Sequence, residues 1–450
     1  MKRFAMARYV SLIILSALWF LAACAPQAVP TVTVAPLPTA TPTAEPTPVS
    51  RAANFDAARA FEHARKLAVD LGSRAAGTEG NASAANYIAR EFEADGLQVT
   101  RQPFTFESWQ DHGTTVRLLA PETKTLQAQA LEYSPSGKVE SALVLVPGIG
   151  SRDDFAKVNA RGKIALVKRG TLPFAVKAAN AAEVGAKALL IYNDQPQIFT
   201  GVLHERVEIP VIGLSGASGA ELLQALSAGA VRVQLDSATA MERRTGYNII
   251  GTLPGASAET IVLGGHYDSV SAGPGAGDNA SGTATLLELA RVMGARPKPQ
   301  HTLVFIAFDA EELGLLGSRA YVENLSDAQL AATRAMLNFD MLGAGGGPLL
   351  LMGDGKVGLL ARASAQQLGI DARNGSLPAN ASSDHESFAR RGIDTVFFMR
   401  DYNLLHTPDD TIDQIRPEFL DEAGRVAQRV LERLDAAPRS DSSLRLSPSE

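Results

Sequence analysis

The sequence predicts an α/β fold: a three-layer, mostly parallel (mixed) sheet with helices on both faces, and a smaller α/β unit inserted into it. Two observations predict it. From Asn54 onward, short apolar runs of strand length alternate with segments of helical periodicity. The runs at 260–264, 302–308, 335–339 and 395–399 are apolar at nearly every position, as strands buried on both faces are.

Along the chain, residues 55–71 place Phe61, Ala64, Leu67 and Ala68 at helical spacing, and residues 81–94 do so with Tyr87, Ile88 and Phe92. Gly96 ends that helix, and residues 97–106 alternate as a strand. Short strands are expected at 142–146, 163–168, 188–192, 210–214 and 231–235, with helices at 174–184 and 219–226 between them. The four later strands are interleaved with helices at 283–293, 314–323, 358–368 and 417–434. Residues 54–110 and 245–435 thus read as one α/β domain, and 111–244 as an insert.

Composition narrows the function. A chain of 450 residues is long enough for roughly three globular units. Lys and Arg number 42 against 48 Asp and Glu, a net charge of −6, so no basic excess points to a nucleic-acid partner. The single cysteine excludes an internal disulfide framework and a thiolate metal cluster. A metal site here has to use His, Asp and Glu.

Lys2, Arg3 and Arg8 precede an apolar run at 9–23. At about 15 residues it falls short of the roughly 20 a membrane span needs and fits a secretory signal. Leu21-Ala22-Ala23-Cys24 resembles the bacterial lipoprotein cleavage box. That resemblance implies a signal peptide over 1–23 and a lipid on Cys24 that anchors the chain to a membrane, outside the cytoplasm (extracellular or periplasmic). Residues 24–53 are rich in Pro and Thr and are expected to form an extended linker. Residues 436–450 are expected to be a disordered tail.

The chemistry gathers just past the second set of strands, where open α/β sheets bind ligands. Gly265-His266-Tyr267-Asp268 follows the first run, with Gly277-Asp278-Asn279 soon after. Asp309-Ala310-Glu311-Glu312 follows the second, Asp340 the third, and His406-Thr407-Pro408-Asp409-Asp410 comes after the fourth. Carboxylates brought that close need a positive centre to stay ionised. Mixed nitrogen and oxygen donors without thiolates suit zinc.

These motifs together resemble the co-catalytic (two-zinc) aminopeptidase family of zinc exopeptidases, over about residues 55–110 and 245–435. The segments 162–170 and 188–193, with the Ala-rich helix between them, resemble the protease-associated domain. The resemblance implies a zinc-exopeptidase type of fold and two Zn(2+) ions. One would be bound by His266, Asp278 and Asp340, the other by Asp278, Glu312 and His406, with Asp278 bridging and a cis peptide after it. It also implies hydrolysis of the N-terminal bond of peptide substrates by a zinc-activated water, with Glu311 as general base.

Asp268, two residues past His266, is expected to accept the other imidazole N–H and orient the ring. His385, within 382–388, resembles a family segment near the substrate pocket. Many relatives carry a Tyr before the last metal-binding His. Here that residue is Leu405; either nearby Tyr402 is the oxyanion donor in its place or the site does without one. His63, His112, His204 and His301 have no partners legible in sequence and are expected on the surface or in the core. The same ligand set also serves a carboxypeptidase or dipeptidase. A glutaminyl cyclase has a related fold with one metal. A non-catalytic surface binding protein is disfavoured by Glu311, because a structural metal needs no free carboxylate beside it.

Overall fold

The computed structural model describes residues 54–203, 207–378 and 381–437. The expected signal peptide, Cys24, the 24–53 linker, His204 and the chain beyond 437 lie outside the described residues. The strands are β1 (Gln98–Ala120), β2 (Lys124–Leu126), β3 (Ala128–Ala130), β4 (Gly137–Leu145), β5 (Ile164–Lys168), β6 (Ala188–Tyr192), β7 (Val211–Leu214), β8 (Arg232–Leu253), β9 (Ser257–His266), β10 (His301–Phe308), β11 (Thr333–Phe339), β12 (Gly346–Met352), β13 (Ala372–Arg373) and β14 (Thr395–Asp401). Among the described residues they form a 14-stranded sheet.

At its centre β9 pairs in parallel with β10 and β11, and β11 with β14. Antiparallel strands flank this set: β12 on β14, and β8 on β10. The sheet is therefore mixed around a parallel core. The alternation of side chains along β9 and β10 accounts for helices on both faces. Ile261, Leu263, Leu303 and Phe305 pack into one cluster with Leu286, Leu289, Val426 and Val430. Val262, Val304, Ile306 and Phe308 face the other way, onto Val322 and Phe388.

The helix Ser281–Gly294 is buried along nearly its whole length, which explains why its sequence shows no polar stripe. The helix Pro417–Ala436 starts on a proline, whose missing N–H costs nothing there, and buries Leu420, Ala423, Val426, Ala427, Val430, Leu431 and Leu434. The helix expected at 55–71 is Ala57–Arg65, capped by the Asp56 side chain, and continues as a π-helical turn over Lys66–Asp70.

The largest departure from expectation lies in β1 and β8. The expected strands at 97–106 and 231–235 are parts of a long antiparallel ribbon that pairs from Gln98↔Thr252 to Ala120↔Arg232. Its middle is mostly exposed and polar, so it carries no apolar run to read. It passes through residues 111 and 244, the expected edges of the insert, within continuous strands. At its far end β8 pairs with β4, which opens a second parallel set, β4 to β7, edged by antiparallel β3. That set has its own two-sided core. Ile164 and Leu166 pack with Leu222, while Ala165 and Val167 pack with Ala178 and Ala181. No helix among the described residues is long and apolar enough to cross a membrane.

Candidate metal centre

His266 is the last residue of β9; Asp309 to Glu312 follow β10, Asp340 follows β11, and His406 lies on the loop after β14. Asp278 stands in the kinked turn Ala276–Ala280, where its own backbone angles (φ −111°, ψ 92°) are not helical, and this turn leads into the helix Ser281–Gly294. The Asp278–Asn279 peptide is cis. The strand order brings all these segments to one end of the parallel core.

The Asp278 carboxylate lies between the two imidazoles. Its Oδ1 is 3.2 Å from His266 Nε2, and its Oδ2 is 3.2 Å from His406 Nε2. His266 Nε2 also lies 3.4 Å from Asp340 Oδ1 and 3.9 Å from Glu311 Oε2. His406 Nε2 lies 2.8 Å from Glu312 Oε2. Donor atoms of His266, Glu311 and Asp340 fall within 4.8 Å of one another, as do those of Asp278, Glu312 and His406.

The donor set fits a divalent cation. His266 Nε2, Asp340 Oδ1 and Glu312 Oε1 are buried without a hydrogen-bond partner. Each such atom costs stability unless something else satisfies it. Nitrogen and carboxylate oxygen converging in this way is a zinc-type donor set.

Surrounding side chains hold the donors in place. His266 Nδ1 donates to the Asp268 backbone oxygen at 3.2 Å, and the Asp268 carboxylate lies 3.5 Å away. That arrangement leaves Nε2 facing the acids. The ring's hydrogen bond thus goes to the Asp268 backbone oxygen, and the Asp268 carboxylate has a different task. It accepts the backbone N–H of Glu311 at 3.1 Å and of Glu312 at 3.2 Å, which ties the Glu-Glu turn to the His266 strand. Ser383 Oγ donates to Asp340 Oδ2 at 2.8 Å.

Asp410 accepts the N–H groups of Gly277 and Asp278 and so fixes the turn that carries Asp278. Its Oδ1 also accepts the Tyr402 hydroxyl at 2.8 Å, so Tyr402 braces Asp410 in this structure and does not present a free donor. Arg74, fully buried, donates to the carbonyls of Leu67, Gly72, Tyr267, Pro274 and Gly275. It clamps the loops that carry Asp268 and Asp278 together. Gly282 is needed for close approach: a Cβ there would stand 2.3 Å from the Phe339 carbonyl.

His385 stacks on Phe397 with ring centroids 4.6 Å apart. Burial lowers its pKa to about 4, so the ring is uncharged at neutral pH. Beside it, Asp384 is fully buried with neither carboxylate oxygen hydrogen-bonded. Of the other histidines, His63 pairs with Tyr87, His112 with Glu242, and His301 with Asp435 and Glu259. Asp410, Asp384, Asp309 and Arg74 have no role legible in sequence. Only Asp309, a carboxylate immediately after an apolar run, left a signal there.

The electrostatics match a site that expects positive charge. Burial pulls the His266 imidazole down, but Asp340, Glu311, Asp268 and Asp278 outweigh it and hold it well above its ordinary value. Hydrogen bonds to Asp278 and Glu312 push His406 up to about 10. Burial raises Glu311 and Asp340, and lifts Glu312 to about 7. The acids therefore favour the protonated form of both imidazoles when no metal is bound. Each must lose its proton to ligate a metal.

Zinc binding at pH 7 should accordingly release protons, and apparent affinity should rise with pH until His406 titrates near 10. Calorimetry in buffers of different ionisation enthalpy measures the release; a value of zero would contradict the ligand assignment. The same linkage makes activity fall in acid. A pH–rate profile flat down to about pH 4, well below the ordinary imidazole pKa, would contradict it.

The comparisons with known proteins agree with this geometry. Residues 248–431 match the family described as Peptidase family M28, and residues 124–222 match the PA domain. Aminopeptidase YwaD of Bacillus subtilis is 34% identical over 394 residues, covering 82% of this chain and 83% of that protein. The probable leucine aminopeptidase 2 of Aspergillus fumigatus is 33% identical over 341 residues, 71% of this chain and 67% of that protein. Among solved structures, BSAP, a zinc aminopeptidase from Bacillus subtilis, superposes with a TM-score of 0.72 at 31% identity, covering 87% of this chain and 97% of that one.

Proposed function

The chain belongs to peptidase family M28, and from that premise we propose that it is a zinc aminopeptidase that holds two zinc ions and releases the N-terminal residue of peptides, with Glu311 as general base. The observation that carries the reading is the Asp278 carboxylate, which faces His266 with one oxygen and His406 with the other. His266, Asp278 and Asp340 would hold one ion; Asp278, Glu312 and His406 would hold the other. Bound there, zinc supplies Lewis acidity, which lowers the pKa of water and polarises the scissile carbonyl.

The chain's own residues supply the proton transfers and the alignment. Glu311 is not engaged by either imidazole as closely as the ligating acids are. It is free to take a proton from the attacking water and return it to the departing amine. Its backbone N–H is held by Asp268, so the carboxylate meets the substrate from a fixed direction. His406, half exposed at 51% against 1% for His266, marks the side from which peptide enters.

The test is a panel of free, N-acetylated and C-amidated peptides with the zinc-loaded protein. Free and C-amidated peptides should be cleaved at the first bond, N-acetylated ones spared, and a chelator should abolish turnover until zinc is restored. Cleavage of N-acetylated but not C-amidated peptides would make the enzyme a carboxypeptidase. We further infer from Leu21-Ala22-Ala23-Cys24 that the protein is exported and lipid-anchored. Metabolic labelling with palmitate checks this, and label that persists in Cys24→Ala would refute it.

A further inference from the structure

We propose that Asp309 is a positioning residue for catalysis: its carboxylate holds Ala310 in a left-handed turn and thereby aims Glu311 at the metal centre. The inference rests on the reading of Glu311 as base.

Asp309 is fully buried at the end of β10 and makes no ion pair with any described residue. Its oxygens are taken up by N–H donors. Oδ1 accepts the Ala310 backbone N–H at 2.9 Å and Asn81 Nδ2 at 2.8 Å, and Oδ2 accepts the Tyr247 backbone N–H at 3.0 Å. Three parts of the molecule thus converge on one carboxylate: the helix Glu79–Ala94, which carries Asn81, the ribbon strand β8, and the turn that carries Glu311.

Ala310 has φ +55°. A residue with a Cβ is uncommon there and persists only where its surroundings enforce it. The consequence of that turn is visible one residue on. The chain reverses so that the N–H groups of Glu311 and Glu312 both point back at the Asp268 carboxylate, at 3.1 and 3.2 Å. Two acids therefore grip the turn from opposite ends: Asp309 at its entrance and Asp268 at its exit.

The backbone around Asp309 is equally constrained. Its N–H donates to Asn248 Oδ1, and its carbonyl accepts from Gly317. A Cβ at Gly317 would stand 2.3 Å from that carbonyl and 2.4 Å from Asn248 Oδ1. Release of Ala310 into an ordinary right-handed or extended conformation would swing Glu311 off its line and disturb Glu312 beside it, while His266, Asp278, Asp340 and His406, on other segments, stay where they are. The expected defect is in kcat rather than in substrate affinity.

The experiment is a double-mutant cycle on the zinc-loaded enzyme with a leucyl-p-nitroanilide, zinc content and melting temperature being measured alongside. Asp309→Ala should lower kcat about tenfold or more, with KM changed by less than about threefold and at least the ion on the His266 side retained. Glycine occupies φ > 0 without steric cost. In the Ala310→Gly background, the loss caused by Asp309→Ala should therefore shrink to about threefold or less, even though glycine further lowers the melting temperature. A merely structural role predicts the opposite pattern: a lower melting temperature, unchanged kcat per folded enzyme, and no relief from glycine.

Unchanged kcat in Asp309→Ala, or an equal loss in both backgrounds, overturns the proposal. Should Asp309→Ala fail to fold, Asp309→Asn carries the same cycle, because its single oxygen cannot serve donors on both sides. Glu311→Gln separates the two readings. If that variant is inactive while Asp309→Ala is unimpaired, only the positioning role fails; if Glu311→Gln stays active, the general-base reading fails with it.

Discussion

Glu311→Gln should keep its zinc and lose about a hundred- to ten-thousandfold in kcat, the range that a positioned general base contributes. Glutamine has the same shape and leaves the backbone N–H that Asp268 accepts untouched, so the turn survives. What it cannot do is take a proton. Glu311 Oε2 stands 3.9 Å from His266 Nε2, farther than the 3.2 Å of Asp278 and the 3.4 Å of Asp340. Metal affinity should therefore change little. Steady-state kinetics together with zinc analysis decides the matter. Turnover near the native rate removes Glu311 as base. Loss of zinc would instead move Glu311 into the ligand set, a result with some geometric support because its carboxylate falls within the same 4.8 Å group as His266 and Asp340.

How much of this was legible in the sequence follows from which signals are local. Runs such as 260–264 and 302–308 announce strands buried on both faces, because every position must be apolar. The acids and histidines directly after them stand out as charge where burial should continue. Their convergence also follows, since parallel strands in one sheet present their ends on one edge. The β1–β8 ribbon was not legible. Its register joins residues such as Asp111 and Thr239, far apart in sequence, and its exposed middle leaves no period-two apolar pattern.

The supporting residues were hidden for a related reason. Arg74 sits in a polar loop segment, Ser73-Arg74-Ala75-Ala76-Gly77, and nothing local says that its guanidinium is fully enclosed by carbonyls. Asp410 reads as a turn residue beside Asp409, yet it is Asp410 that holds the turn carrying Asp278 and occupies the Tyr402 hydroxyl. Tyr402 is a candidate donor only by its sequence distance to His406, and its acceptor, Asp410, is visible only in three dimensions. Spacing to His266 gives Asp268 one task, while its carboxylate's hold on Glu311 and Glu312 depends on how the β10 loop packs beside it.

Asp278→Asn should disable both halves of the centre at once. Asp278 is the only residue within 3.5 Å of both His266 Nε2 and His406 Nε2 among the described residues. An amide in its place turns an N–H towards one imidazole or the other and weakens both metal positions. By contrast, Asp340→Asn touches only the His266 side and Glu312→Gln only the His406 side. Zinc per chain, measured after dialysis against buffered zinc, should fall towards zero in Asp278→Asn and by about one ion in each of the others, with kcat lost most completely in the first.

The zinc-free protein offers an independent check through linkage. Hydrogen bonds to Asp278 and Glu312 raise the His406 pKa to about 10 in the folded state. That raised value contributes stability that is fully present below the ordinary imidazole pKa and is lost as pH rises through about 10. Asp278→Asn removes one of the two acceptors. Its zinc-free melting temperature should therefore lie below that of the native chain at pH 7, and the gap should narrow above pH 10, where His406 is neutral in both and only the contact of Asp278 with His266 is left. The imidazole is half exposed, so solvent screening keeps the gap small. A gap that persists unchanged at high pH would mean that Asp278 acts on the fold by another route. Two zinc ions retained in Asp278→Asn would mean that it does not bridge.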